Sequence, residues 1–346
     1  MADLLSFEDA LTASAASNRH VLLGNGFSIA LKPDIFGYVS LFENADFSAA
    51  PQVLQLFAAL NTEDFEIVIR HIQDTCTVVG VYQPELINLI AQLQEDAAAI
   101  KDALVAAIAK RHPDRPYEIK AEQYAACRNF LSNFKHVFTL NYDVLLYWAL
   151  MQTEVDELDL RHDDGFRHPE TDPNQPWVSW QEANSATVNY LHGALHLFDN
   201  GHEIIKYTWS KTDQPIVDQI RESLDQNRFP IFVAEGKSIT KMERILHNAY
   251  LHKALRSLEG CCRAKKSAIF IYGHSLADND DHVFRQIAGG AAADLFVSLY
   301  GDPDSASNKA MINSAEVIAQ WRLNIRGEGS PLKVHFYDAA SANVWG

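Results

Sequence analysis

Asn141 and Asp143 stand two residues apart in Thr139-Leu-Asn-Tyr-Asp143, directly after the apolar run His136-Val-Phe-Thr-Leu140. Side chains two apart at a strand end share a face. An amide and a carboxylate placed there could fix a ribose and a carboxamide by hydrogen bonds. The competing reading is local, an Asx turn whose Asp143 caps a helix starting at Val144. His192 lies in Leu191-His-Gly-Ala-Leu-His196, at the end of another short apolar strand and beside Gly193. A histidine at a strand end, next to a residue that permits close approach, reads as a general base with a pKa near neutrality. Two alternatives stay open. His192 and His196, four apart, could be metal ligands if a third ligand and a helix were present, which Gly193 weakens. Either could also be a satisfied structural histidine.

Two glycine-bearing turns complete the set. In Leu23-Gly-Asn-Gly-Phe-Ser28 a buried strand runs into Gly24, Asn25, Gly26, Phe27 and Ser28, and a helix follows. Such a turn lets backbone N–H groups approach a pyrophosphate, with Ser28 adding a hydroxyl. It also reads as a plain tight turn, because Asn-Gly is a favoured hairpin dipeptide. Ile29 stands where a dinucleotide fingerprint has its third glycine, and no clear acidic ribose ligand follows, which disfavours an ordinary dehydrogenase. In Ile271-Tyr-Gly-His-Ser-Leu-Ala-Asp278, Gly273, His274 and Ser275 suit contact with phosphate or ribose, while Asp278, Asp280 and Asp281 suit a helix cap. Glu235-Gly-Lys-Ser238 is no P-loop, since Ile231 replaces the upstream glycine.

Elements must carry these groups to one place. Apolar runs predict strands at Arg19–Gly24, His136–Leu140, Thr187–Leu191, Pro230–Ala234, Ser267–Tyr272, Asp294–Tyr300 and Leu332–Tyr337, and a hairpin over Leu195–Trp209 around Asn200-Gly201. Three- and four-residue apolar spacing predicts helices at Leu4–Ala16, capped by Ser6, and at Lys241–Leu258, Asp281–Ala288 and Met311–Arg322. The same spacing fills residues 49–134, which read as a helical insertion within a single domain spanning 1–346. Asp156–Trp180 is polar and reads as a surface loop. Strands alternating with helices predict an α/β fold with a mainly parallel, Rossmann-like, doubly wound sheet. Ligands of such sheets sit beyond the strand C-terminal ends, where all four motifs fall.

Composition narrows the partners. Asp and Glu number 45 against 29 Lys and Arg, a net charge of -16. That excludes unaided nucleic-acid binding and docking on an anionic membrane. The four cysteines, Cys76, Cys127, Cys261 and Cys262, form no C-x-x-C pair, so no zinc ribbon is read. The start of the chain lacks a basic region before an apolar one, and no apolar run reaches the ~18–20 residues of a membrane span. A cytoplasmic protein is expected.

In this order, Gly24-Asn-Gly-Phe-Ser28, Thr139-Leu-Asn-Tyr-Asp143, Leu191-His192-Gly193 and Gly273-His-Ser-Leu276 resemble the NAD-binding core of the sirtuins. More narrowly, the chain looks like bacterial sirtuin-like domains that deplete NAD in anti-phage defence. Ala234-Glu-Gly-Lys-Ser238 through Arg244-Ile-Leu-His-Asn248-Ala-Tyr-Leu251 resembles a poorly characterised branch of that group, a domain of unknown function. The resemblance implies that NAD is the substrate, that the backbone at Gly24 and Gly26 with Ser28 holds its diphosphate, and that Gly273, His274 and Ser275 touch it again. It implies that Asp143 orients the nicotinamide, Asn141 positions a water or ribose hydroxyl, and His192 accepts the proton. Asn25 replaces the family's alanine, Leu140 its glutamine, and the four-cysteine zinc module is missing. The expectation is therefore an NAD glycohydrolase without a metal, restrained by oligomer assembly or a partner protein. A non-catalytic NAD or ADP-ribose sensor is the alternative, and protein deacylation a lesser one.

Overall fold

A computed structural model describes residues 4–168, 177–181, 186–208, 214–226 and 228–346. Its strands in chain order are β1 (Leu4–Leu5), β2 (Asn18–Leu23), β3 (His136–Thr139), β4 (Phe166–Arg167), β5 (Trp177–Trp180), β6 (Val188–Tyr190), β7 (Leu197–Asp199), β8 (Ile204–Tyr207), β9 (Ser267–Tyr272), β10 (Asp294–Leu299) and β11 (Lys333–Asp338). Seven of them form one sheet in the order β1-β11-β10-β9-β2-β3-β6, with every neighbouring pair parallel. This is the expected α/β architecture with a Rossmann-like sheet. The chain moves outward from β2 through β3 to β6, then crosses back to β9 and moves outward the other way. The switch point, where ligands of doubly wound sheets bind, thus lies between β2 and β9.

A parallel sheet covered on both faces needs strands that are apolar throughout. In β2, Val21, Leu22 and Leu23 are fully buried, and all six residues of β9 are buried. Alternation divides them between two cores. Val21, Leu23, Phe270 and Tyr272 face one cluster, while Leu22, Phe138, Ile269 and Ile271 face the other. The first cluster also takes the helices between β2 and β3, among them Val53–Leu60, Phe65–Tyr82, Ile87–Arg111 and Ala121–Ser132. Arg322, fully buried in helix Ala306–Arg326, donates to the carbonyls of Ile287, Ala288 and Ala292 at 2.7–2.9 Å. It gives a donor to Ala288 O at the end of helix Asp281–Gly289 and to Ala292 O beyond it, and a second donor to Ile287 O, which also accepts from Gly290 N–H.

Several local expectations change. The polar stretch 156–180 is not all loop: β4 and β5 join β8 and β7 in a four-stranded antiparallel sheet. Residues 169–176 of that stretch, and Trp209 of the predicted hairpin, lie outside the described residues. The hairpin itself forms from β7 and β8, with Asp199 opposite Ile204. Pro230–Ala234 is not a strand. Its backbone makes one bridge, Phe232 with Gly193, because it packs against the loop after β6 rather than in the sheet. Lys241–Leu258 is two helices, Ser238–His247 and Ala249–Arg263, broken at Asn248, whose Oδ1 caps the second by accepting from Leu251 N–H at 3.1 Å. Residues Leu4–Leu5 pair with β11 before the first helix, Phe7–Ala13, which Ser6 and Asp9 cap reciprocally.

Candidate functional site

The turn after β2 is a strand-to-helix turn, not a hairpin. Helix Gly26–Leu31 follows it directly. Its glycines are needed for contact with the loop after β9. Gly26 N–H donates to Gly273 O at 2.7 Å, and a methyl group on Gly26 would sit 2.5 Å from Gly273 Cα. Gly273 in turn has φ +67°, and its own methyl would sit 2.6 Å from Gly26 Cα. Gly24 N–H is taken by Tyr272 O at 2.9 Å. The glycine pair therefore joins two loops backbone to backbone, and the N–H groups of Gly24 and Gly26, both expected at a pyrophosphate, are spent on this seam. Asn25 Nδ2 donates to Phe36 O at 3.0 Å, and Phe27 is buried against Trp345, whose indole N–H donates to Phe27 O at 2.8 Å.

Ser28 is fully buried. Its hydroxyl donates to Asp143 Oδ2 at 2.5 Å and accepts from Asn141 Nδ2 at 3.0 Å. A hydroxyl so engaged has no proton left for a phosphate, which corrects the role expected for Ser28. It is instead the hub that links the turn after β2 to the loop after β3. Asp143 also accepts from Leu145 N–H at 2.9 Å through Oδ1, the Asx turn foreseen as the alternative, although the helix starts at Leu145 and its N-cap is Val144 rather than Asp143. Burial raises the Asp143 pKa, and the bonds from Ser28 and Leu145 oppose that shift. Both Asp143 oxygens are occupied, and among the described residues no donor meets Asn141 Oδ1.

His192 ends β6's extension into the loop and is 2% exposed. Gly193 beside it has φ +80°, and a methyl there would lie 1.9 Å from Ile231 O. The glycine is required by the neighbouring chain, not by a ligand. His192 Nε2 lies 3.0 Å from His282 Nε2 and 3.7 Å from Asp280 Oδ1. Ser238 Oγ accepts from His282 N–H at 2.7 Å and faces His282 Nδ1 at 3.2 Å. If the hydroxyl proton goes to Nδ1, His282 carries its own proton on Nε2 and donates to His192. Burial pushes His192 well below its usual pKa, Asp280 opposing and Lys241, His282 and His274 reinforcing. Burial thus keeps the ring neutral, contrary to the expected titration near neutrality. His196 takes no part. It is buried, its ring nitrogens lack hydrogen-bond partners among the described residues, and it packs on Tyr147 and Tyr190.

Behind His192 lies a charged network that sequence reasoning missed. Lys241, with a 1% exposed side chain, places Nζ 2.6 Å from Glu66 Oε2 and 2.8 Å from Asp280 Oδ1. His274 accepts from Leu276 N–H at Nδ1, so its Nε2–H faces Asp280 Oδ2 at 3.0 Å. Asn279 Nδ2 donates to Glu66 Oε2 at 2.6 Å, and Tyr142 OH lies 3.3 Å from Glu66 Oε1. Burial works to raise Asp280, but Lys241, His274 and His192 outweigh it and hold the carboxyl well below its usual range. Burial raises Glu66 against the pull of Lys241. His192, His282 and Asp280 carry metal-ligand atoms within 4.8 Å of one another. Lys241 already occupies Asp280, and its charge opposes a cation there.

These groups line one side of a cavity of about 800 Å³, inside the ~300–1,000 Å³ usual for ligand sites. Asn25, Gly26, Asn141, Asp143, His192, Gly273, His274 and Ser275 border it; Gly24, Phe27 and Ser28 lie behind its wall. Asp64, Glu66, Asp143 and Asp280 are among its walls, and no Lys or Arg is among the described residues that line it. Tyr38 and Tyr300, 48% and 80% exposed, stand at its rim. Among the described residues, no helix is long and apolar enough to cross a membrane.

A search of curated proteins finds no match. An ADP-ribose complex of a Sir2 homologue bearing a histidine-to-asparagine substitution aligns at 15% identity, covering 92% of this chain and 96% of that chain, with a TM-score of 0.34. That likeness is too loose to carry an argument. The profile of the family described as domain of unknown function DUF4917 matches residues 21–345, and the chain belongs to that family.

Proposed function

We propose that the cavity binds NAD and hydrolyses its nicotinamide–ribose bond. The observation that carries this reading is the convergence of the loops after β2, β3, β6 and β9 on one cavity at the C-terminal edge of the sheet, with Asn141 and His192 both on its walls. The electrostatics suit the reaction. Breaking the bond sends the electron pair to nicotinamide, which leaves neutral, and puts positive charge on the ribose. Asp64 and Asp143, the wall carboxylates that Lys241 does not pair, favour such a cation, as fixed charge aimed at developing charge does. The diphosphate, with no Lys or Arg beside it, is held by uncharged donors such as Asn25 and the exposed hydroxyl of Ser275.

Asn141, with its amide nitrogen fixed by Ser28, presents Oδ1 to the attacking water or a ribose hydroxyl. Asp143 is a positioning residue that holds Ser28 and thereby Asn141. The water oxygen bonds to the ribose carbon, and its proton passes to the His192–His282 pair, where Asp280 at 3.7 Å balances the imidazolium. A base of this kind contributes ~10²–10⁴-fold. The products are nicotinamide and ADP-ribose, and an NAD-depleting effector under control, as in anti-phage defence, is the role in keeping with them.

A second reading is a sensor that binds NAD or ADP-ribose without turnover. It is favoured by His192 Nε2 being occupied by His282. Incubating the purified chain with NAD and measuring released nicotinamide separates the two. Turnover abolished by Asn141→Ala and by His192→Ala supports the hydrolase; saturable NAD binding with no release supports the sensor. Hydrolysis at the parental rate in both variants overturns the assignment.

A further inference from the structure

At the opposite edge of the sheet, the strand N-termini gather a second cluster of donor atoms. We propose that His20, His136 and Cys261 form a binding site for one thiophilic divalent cation of the zinc type. His20 on β2 and His136 on β3 are paired in register, so their rings leave the same face of the sheet. That face is the one shared by Leu22 and Phe138, and helix Ala249–Arg263 covers it through Leu258 and Cys262. The helix's last turn sets Cys261 over the pair. The donor atoms of all three residues lie within 4.8 Å of one another, and the two Nδ1 atoms are 3.1 Å apart. A tetrahedral ion with metal–nitrogen bonds of ~2.0–2.1 Å and a metal–sulfur bond of ~2.3 Å spaces its donors by about 3.3–3.6 Å.

The hydrogen bonding fits a cation better than it fits the rings alone. Ser267 Oγ meets His20 Nε2 at 3.3 Å, the outer-shell contact that leaves Nδ1 as the ligating atom. With no ion between them, two Nδ1 atoms must share one hydrogen. An ion removes that constraint: both rings carry their proton on Nε2, the thiol proton leaves to solvent, and the thiolate binds. One proton is released for each ion bound. Lys135 faces the cluster and works against a hard cation held by neutral donors alone. The thiolate offsets it and selects a soft or borderline metal. Half-buried His136 gives the ion its way in, and three protein donors leave the fourth position to solvent.

The test is titration of the full-length, reduced and chelator-treated protein with Co(II). The expected result is a one-to-one complex with a thiolate-to-cobalt absorption band, release of one proton per ion, and displacement by Zn(II). The band disappears in Cys261→Ser. Affinity falls at least about tenfold in His136→Gln, a loss no smaller than that from removing an outer-shell partner; this half-buried position disturbs the core least. Cys262→Ser and His192→Ala keep the band. No band in the parent protein, a band that survives Cys261→Ser, or one that is lost with Cys262→Ser or His192→Ala overturns the proposal. The result is independent of whether the cavity turns over NAD.

Discussion

Replacing Lys241 with methionine tests the network behind the cavity. The substitution keeps the length and apolar stem of the side chain and deletes one charge. That charge is shared by Glu66 at 2.6 Å and Asp280 at 2.8 Å, and the lysine side chain is 1% exposed. Removing one partner from a buried ion pair costs ~3–5 kcal/mol, because the remaining charge stays desolvated. Asn279 still serves Glu66, and His274 still serves Asp280, so the lower half of that range is expected. With m of ~3 kcal/mol/M, a loss of ~3 kcal/mol moves the urea midpoint down by about 1 M. The pH dependence has a fixed sign. In the variant both carboxyls lack their cation, so their folded pKa values rise above the unfolded ones. The penalty is full at neutral pH and fades as pH falls through those raised values. Adding Glu66→Gln and Asp280→Asn restores most of the stability. A midpoint shift worth under ~1 kcal/mol, a deficit that grows on acidification, or no recovery in the triple variant would refute the reasoning.

Gly273→Ala forces a methyl to within 2.6 Å of Gly26 Cα at φ +67°; overpacking of this kind costs ~1–3 kcal/mol, and both melting temperature and NAD affinity should drop. Arg322→Met leaves the carbonyls of Ala288 and Ala292 without their donor, while Ile287 O keeps the Gly290 N–H; at ~1–3 kcal/mol for each buried unsatisfied group, denaturant unfolding should report a loss of at least ~2 kcal/mol. Burial lowers His112 and His282 to about 4. Their neutral forms stabilise the fold fully above the unfolded value of ~6.5, and that contribution drains away as pH falls toward 4. Each should lose ~2 kcal/mol between pH 7 and pH 5, and His112→Gln should flatten the stability profile over that interval. His282→Gln should cut nicotinamide release more than tenfold while leaving NAD affinity within a few-fold, since His282 touches His192 and not the cavity wall.

The strand ends that border the cavity were legible because each joins an apolar run to an abrupt polar turn. Parallel strands buried on both faces leave that signature, and β2, β3, β6 and β9 all carry it. The partners of the side chains were not legible. Ser28 meets Asp143 across 115 residues, and Lys241 meets Glu66 across 175; nothing local to either residue announces such a contact. Lys241 read as the polar start of a helix, and Asp280 as a cap. Strands β4 and β5 were hidden because they sit in a polar, His- and Asp-rich stretch, where the buried Phe166 and Val178 and the partly buried Trp177 and Trp180 are too few and scattered to announce strands. Pro230–Ala234 erred the other way: it is apolar because it is buried against the His192 loop, not because it joins a sheet.

The seam between Gly26 and Gly273 also governs how a ligand gets in. Backbone is locked to backbone there, with no side chain between the loops to swing aside, so the two loops travel as one rigid edge. A guest cannot part them. Admission must run where the cavity meets solvent, beside the exposed residues Tyr38 and Tyr300. The floor is thus built for fidelity of shape, and the doorway for traffic.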